Sequence, residues 1–557
     1  MQRALPFLSN FQTRRGAPLR TWALLAAGLM TAPLLAVALK VLTPGTGDTW
    51  AHLLDTVLPD YIRTTLWLCL GVGLGVTALG VGAAWLVTRH DFPGRSTFEW
   101  ALLLPLAMPA YVMAYAYTDL LQYVGPVQSW LREAFGWRRA DYWFPDVRSL
   151  GGAIVMFSLV LYPYVYMLAR TAFLERGAGM IEAGRVLGLS PLQAFWRLSL
   201  PLARPAIAGG VALALMETLA DYGTVSYFAV QTFTTGIYRA WFSLGDRTAA
   251  AQLAMVLLAF VVVVLVLERV SRGGSRFHDS SLRRSSSTRV RLPALRGLLA
   301  TLACLMPLVA GFLLPAGVML HMAMTEVESP LTPRFFTLAG NSMLVAGSTA
   351  LLATGLALLI AYAARLHPGG AMRWAHRVAG LGYALPGSVI AVGVLIPVTL
   401  LDHGLAAVLR DSFGWQVGLL LTGSIAALVY ACVVRYLTAA LQAVDSGLAR
   451  ITPRMEQAAR MLGHTPTQTL RRVHLPLLRG SALTAALLVF IDVMKELPAT
   501  LVMRPFNFDT LATQAYTLAS DERLAEASAP ALAIVVAGLL PMLVLSRQIL
   551  KTVEAAR

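Results

Sequence analysis

The stretch Ile181-Glu-Ala-Gly-Arg-Val-Leu-Gly188 is followed nine residues later by Leu198-Ser-Leu-Pro201, and both pieces return 275 positions on, as Glu456-Gln-Ala-Ala-Arg-Met-Leu-Gly463 and Val473-His-Leu-Pro476. The register then holds without a gap through Arg204/Arg479, Glu217/Asp492, Asp221/Glu496, Phe233/Phe508, Thr235/Thr510 and Asp246/Asp521. A match of that length marks an internal duplication. It extends upstream at nearly the same offset, with Arg89 facing Arg365, Pro93-Gly94 facing Pro368-Gly369, and Pro109-Ala110 facing Pro386-Gly387.

The repeated unit is embedded in a very apolar chain. Of 557 residues, 57% are hydrophobic and 13% charged, too little polar surface to clothe a soluble globule. Stretches of about 20 apolar residues, enough to cross roughly 30 Å of hydrocarbon, lie near 22–41, 64–88, 99–121, 150–172, 203–228, 250–268, 297–320, 341–364, 379–401, 417–440, 478–503 and 527–546. Twelve spans are expected, six per half. No alternating ten-residue segments suggest a barrel, so the fold class is an all-α polytopic membrane protein. Ala36-Val37-Ala38 resembles a signal-peptide cleavage site, but the apolar run and its leader are long for one, and the first span is read as an uncleaved helix.

Lys and Arg are retained on the cytoplasmic side. With the N-terminus inside, 32 of the 45 basic residues fall in inner segments, among them both repeated loops. Topology thus accounts for the net charge of +16 without a nucleic-acid partner. The expected organisation is an N-terminal tail and first helix over 1–59, a first transmembrane domain over 60–270, a basic Ser/Arg/Gly linker over 271–295, a seventh helix and outer loop over 296–336, and a second transmembrane domain over 337–550. Each repeat of five spans with one added helix makes six crossings, so the halves are expected to be parallel. The linker has little to bury and reads as a flexible tether whose basic residues could touch lipid head groups. Cys69, Cys304 and Cys432 all fall in spans, where a thiol behaves as a small apolar group.

Each repeated loop has a helical pattern broken at Gly188-Leu-Ser-Pro191 or Gly463-His-Thr-Pro466. Ser190 and Thr465 are placed to cap the next helix, with Pro191 and Pro466 in its first turn. The spacing predicts a short helix, a kink and a second short helix along the membrane surface.

This pattern resembles the cytoplasmic coupling loop of type I ABC importer permeases, whose loop helices dock into ATP-hydrolysing subunits. Glu182, Ala183, Gly184, Gly188, Leu198, Leu200 and Pro201 match it, as do Ala458, Ala459, Gly463, Val473, Leu475 and Pro476. The second copy departs in placing its acid, Glu456, one position early, with Gln457 where the first has Glu182. The resemblance implies two copies of a cytoplasmic ABC ATPase, a periplasmic substrate-binding protein, surrounding lipid and an inner-membrane location with both termini cytoplasmic. The chain itself has no Gly-x4-Gly-Lys-Ser/Thr loop to cradle a nucleotide. It is therefore read as a transporter subunit and not an enzyme, with no cofactor of its own and with ATP and magnesium on the partner.

After each loop an ionisable cluster lies inside a span: Glu217, Asp221 and Tyr222 in the first half, and Asp492, Lys495 and Glu496 in the second. Acids four apart are expected to share a helix face. A charge in hydrocarbon costs about 2.5 kcal/mol or more, so these groups should face the interior, a partner or water. Two readings stand: a cation path, or a structural network in which Lys495 neutralises Asp492.

The stretches Lys495-Glu-Leu-Pro-Ala-Thr500 and Arg504-Pro-Phe-Asn-Phe-Asp-Thr-Leu-Ala-Thr513 resemble the ferric-iron branch of these permeases, in which the halves are commonly fused. Carboxylates and phenols suit a hard ferric ion. Tyr162, Tyr164 and Tyr166 are available, though a Tyr stripe is more often packing. No tightly bound metal is expected, since an ion held firmly could not be released. Thiamine, polyamine, sulfate or phosphonate are alternative cargoes on the same architecture. A secondary carrier would not need the two loops.

Overall fold

The computed structural model describes residues 17–41, 53, 55–176, 184, 186, 188–272, 289–325, 327, 331–367, 369–380, 382, 385–449 and 451–554. Among these, ten helices are long and apolar enough to cross a membrane, or eleven if a bent pair counts as one span. The all-α expectation stands; the count of twelve is approached rather than met.

The bent pair is the expected third span. Arg95–Ala107 and Ala110–Phe135 meet at 91°. The cause is local. Pro109 lacks the N–H a continuing helix needs, and its ring drives Met108 out of the helical region, to φ −90° and ψ 117°. The expected last span lies in the helix Leu524–Glu554, whose described apolar part runs from Leu524 to Leu539.

The described helices gather into two compact units, which are not contiguous halves of the sequence. One unit joins residues 1–44 to 337–510. In it the N-terminal helix Ala17–Val41 packs on Gly387–Phe413 and Gly370–Ala379. A methyl group on Gly393 would lie 2.6 Å from the carbonyl oxygen of Pro33, so glycine is what admits the N-terminal helix.

The other unit joins 45–336 to 511–557. Here Ala294–Leu308 and its continuation to Thr325 pack beside the first-repeat helices. A methyl on Gly311 would lie 2.6 Å from the oxygen of Leu159, and the Tyr117 hydroxyl donates to the oxygen of Ala310 at 2.7 Å. In both units, therefore, the helix that precedes one repeat in sequence seats on helices of the other repeat. Within the second unit, Leu58–Arg89 lies along Leu150–Arg176, where a methyl on Gly80 would meet Val165 Cβ at 2.7 Å.

At its described ends the predicted linker is structured. Ser271 and Arg272 close the helix Arg247–Arg272, and Val290–Arg291 pair in parallel with His90–Asp91, the one two-stranded ladder among the described residues. Residues 273–288 lie outside the described ones.

Candidate coupling loops and intramembrane acids

In the second loop the helix Pro453–Met461 ends where Leu462 donates to Ala458 O at 3.0 Å and His464 donates to Ala459 O at 3.1 Å. That pattern closes a helix by turning one residue left-handed. The residue is Gly463, at φ 80°. In the first loop Leu189 donates to Gly184 O at 2.9 Å and Gly188 stands at φ 78°, the same closure 275 positions earlier. Glycine is required here by backbone conformation rather than by crowding, since open space surrounds both positions.

The next helix begins with reciprocal caps, as the sequence predicts. Gln193 N donates to Ser190 Oγ at 3.3 Å while Ser190 N donates to Gln193 Oε1 at 3.0 Å; Gln468 N to Thr465 Oγ1 (3.3 Å) and Thr465 N to Gln468 Oε1 (2.9 Å) repeat the arrangement. The expected second surface helix, however, is not a separate element. Pro191–Ala194 runs through Phe195–Ser199 into Leu200–Ala220, and Pro466–Thr469 runs through Leu470–His474 into Leu475–Met494. In each case the middle five residues form a wide π turn, with Leu200 N donating to Phe195 O and Leu475 N to Leu470 O. Pro201 and Pro476 follow immediately. A proline ring would strike the carbonyl four residues back in an α-helix, and the widened turn continues the helix instead of breaking it.

Gly184 is buried, and a methyl there would lie 2.7 Å from Leu198 Cδ1. The second copy carries Ala459 and Val473 at these positions, moving one methyl from the larger partner to the smaller. Ala458 is exposed and Ala459 buried. Glu182 and Ala183 lie outside the described residues, as does the side chain of Glu456. Leu200 is half-buried, while Pro201, Leu475 and Pro476 are exposed. Both tips show apolar side chains to the outside: Val186 is 88% and Leu192 68% exposed in the first, Met461 88% and Leu462 79% in the second. Such side chains at the end of a polar loop are the ordinary mark of a surface that meets a partner.

The spans above the loops end earlier than predicted. The first-half helix stops at Ala220, and Asp221 turns extended, at φ −69° and ψ 138°. Its Oδ1 accepts from Thr224 N (2.9 Å) and Val225 N (3.2 Å), its Oδ2 from Thr224 Oγ1 (3.1 Å), so it caps the short helix Gly223–Tyr227. The second-half helix stops at Met494, and Glu496 Oε1 accepts from Ala499 N at 2.9 Å at the head of Pro498–Met503. The two acids are thus equivalent caps. The expected shared helix face with Glu217 and Asp492 is corrected accordingly: the helix breaks between each pair, and four-residue spacing no longer aligns them. Asp221→Ala should lower the stability of the full chain by about 1–2 kcal/mol in a detergent melt, with Asp221→Asn closer to the parent. Equal melting of the alanine variant and the parent would contradict the capping role.

Glu496 is 4% exposed and fully engaged. Its Oε2 accepts from Arg435 Nη1 at 2.7 Å and from the Tyr436 hydroxyl. Arg435 lies inside Ile425–Ala449 and is buried. A lone arginine in Val433-Val434-Arg435-Tyr436 was the available signal for a partner acid. Lys495 Nζ lies 3.0 Å from Asp492 Oδ1, and both are mostly buried.

In the other unit, Tyr222 stacks on Tyr238 with centroids 3.7 Å apart and lies 5.7 Å from the Tyr516 ring, while Tyr516 shares a 3.0 Å hydrogen bond with Ser226. Glu217 is half-buried, about one turn before the helix end at Ala220. Tyr516 could not be found from local sequence, because 294 positions separate it from Tyr222. Tyr162 and Tyr166 are buried in the packing of Leu150–Arg176, with the Tyr166 hydroxyl donating to Glu99 O at 2.9 Å. Among the described residues, no three His, Cys, Asp or Glu side chains converge as a metal-holding set.

Residues 76–272 match the family model of the binding-protein-dependent transport system inner membrane component. The chain is similar to that family over this stretch. It is the membrane-spanning permease subunit of an ABC importer, built from two fused halves. This permease is 26% identical over 526 residues to an Fe(3+)-transport system permease protein, FbpB 2, of Haemophilus influenzae, covering 93% of the present chain and 96% of the relative. It is 27% identical over 203 residues to the molybdenum transport system permease protein ModB of Escherichia coli, and 26% identical over 201 residues to the sulfate transport system permease protein CysT of the same organism. Those two cover 35% and 36% of this permease.

Proposed function

We propose that this permease carries ferric iron inward, handed over by a periplasmic binding protein and driven by two copies of a cytoplasmic ABC ATPase that bind ATP and magnesium. The cargo reading rests on one observation: the Fe(3+) relative is matched through both halves and nearly end to end, whereas the molybdenum and sulfate relatives match about a third of the chain. Iron is cargo here, and a pathway lined by carboxylates and phenols suits a hard ion. The test is ATP-dependent uptake into proteoliposomes holding the assembled importer and loaded binding protein, with ferric iron, molybdate and sulfate offered in parallel. Accumulation of iron alone supports the reading; accumulation of molybdate or sulfate instead overturns it.

The ATPase sites are assigned to the two loop tips, on Glu182, Ala183, Gly184, Gly188, Leu200 and Pro201 and on Glu456, Ala458, Ala459, Gly463, Leu475 and Pro476. The exposed apolar tip closed by a left-handed glycine, present in both copies, supports this. ATP closure can reorient the spans only if the docked loops differ in free energy between the two membrane states. Both tips and both termini are then cytoplasmic. A cysteine at Gly463 should be shielded from an impermeant reagent outside intact cells, and one at the exposed Ser520 labelled. Labelling of the Gly463 cysteine from outside would reverse the orientation and remove the docking sites from the ATPase.

For the acids, the geometry supports a division of roles. Glu496 is an anchor, with both oxygens used by Arg435, Tyr436 and Ala499. Glu217, Tyr222 and the Asp492–Lys495 pair, all less buried, are the groups left for the path.

A further inference from the structure

The unit holding the second repeat contains a cleft of about 350 Å³ where the spans Pro333–Leu366 and Ile425–Ala449 end beside the short helix Gly370–Ala379. Arg365, Arg373, His376 and Arg377 line it, with Asp445 as its one acid. His376 Nε2 lies 3.0 Å from Asp445 Oδ2, and the hydrogen bond to that carboxylate, opposed by burial, raises the imidazole above its ordinary range. Asp445 is therefore already matched. Arg373 and Arg377 remain, and among the described residues neither has a carboxylate within ion-pair distance.

The first repeat provides an internal comparison. Arg89 donates to Phe173 O at 3.3 Å, and Arg365, its counterpart, donates to Leu448 O and Ile451 O at 2.6 Å each, so both arginines close the end of the neighbouring span. Around them the charges differ. In the first repeat Arg95 and Arg170 both converge on Glu99. In the second repeat the short helix supplies Arg373 and Arg377, with no acid of its own. Retaining a loop on one side of the membrane needs basic residues, but it does not need them gathered around one cleft.

We propose that this cleft binds a phosphate group, that of an anionic phospholipid headgroup. The shared chemistry is a phosphate oxyanion taken by two guanidinium forks, for which arginine is the suited side chain. Its place favours the lipid over free phosphate. The cleft opens at the ends of two spans, and the helix beside it buries Met372 while leaving Trp374 66% exposed, the residue type that settles at the headgroup level of a bilayer. Basic pockets between spans at this depth suit acidic head groups.

The full chain is to be placed in nanodiscs of phosphatidylcholine with a minor fraction of phosphatidylglycerol, and retained lipid measured by native mass spectrometry after detergent release. Phosphatidylglycerol should be retained by the parent, and Arg373→Gln with Arg377→Gln should weaken retention about thirtyfold, at roughly a factor of five per arginine. Both side chains are exposed, so the variant should melt with the parent. Ala364→Leu, which fills the cleft without removing charge, should also release the lipid. Arg471→Gln with Arg472→Gln, equal in charge but outside the cleft, should not. Equal loss in that control, or parental retention in both cleft variants, overturns the site. Release of phosphatidylglycerol by millimolar inorganic phosphate overturns the lipid as its source.

Discussion

Gly463→Val should leave the protein in the membrane at its normal level and cut ATP-driven uptake by tenfold or more, while Gly463→Asn keeps most of it. The reasoning starts from the backbone. At φ 80° a side chain with a Cβ costs roughly 1–2 kcal/mol, and a β-branched one more, whereas asparagine visits this region with less strain. Open space around Gly463 excludes a steric clash as the source of any effect. The strain is relieved by undoing the helix closure, in which His464 N reaches Ala459 O. Undoing it swings Met461 and Leu462, the exposed tip, away from their docked position. A local penalty of about 2 kcal/mol is roughly thirtyfold in the population of the closed tip. Gly188→Val should behave alike, because Gly188 sits at φ 78° in the same closure. Uptake and ATP hydrolysis coupled as in the parent, in both valine variants, would show that the tips are not where the ATPase acts.

Much of this site was legible in the sequence, and the reason is that it is local. Gly188, Gly463, Ser190 and Thr465 act on residues within five positions, so spacing alone identifies a helix end followed by a cap. The π turns at Phe195–Ser199 and Leu470–His474 were not anticipated, although Pro201 and Pro476 announce them: a proline inside a continuing helix demands some adjustment upstream. Helix breaks inside the spans were missed for a different reason. Apolar composition reports that a segment can sit in the membrane; it does not report where an acid will leave the helix to cap another, as Asp221 and Glu496 do. Long-range partners left the weakest trace. Arg435 could have been suspected as an isolated charge in a span, but nothing near Tyr222 points to Tyr516, and nothing in Ala17–Val41 says that it packs on helices of the second repeat.

Glu496→Ala should be the most damaging single substitution in the spans, lowering stability by about 3–5 kcal/mol and with it the amount of folded protein. Removing one member of a buried pair leaves the other charge without compensation in a medium that solvates it poorly. Arg435 and Glu496 are 6% and 4% exposed, so little water reaches either. The Tyr436 hydroxyl and Ala499 N also lose their acceptor, and an unsatisfied buried donor costs about 1–3 kcal/mol. The double variant Arg435→Met with Glu496→Met removes both charges together and should recover more than half of the loss, since a buried ion pair replaced by apolar groups of similar volume is often close to neutral. Asp492→Asn should cost less than Glu496→Ala, because Asp492 and Lys495 retain 16% and 24% exposure and water can take part of the charge. Uptake per folded molecule separates an anchor from a conduit. An anchor predicts that the double variant, once folded, carries iron near the parental rate. A conduit predicts that it folds and carries none, and that outcome would return Glu496 to the path.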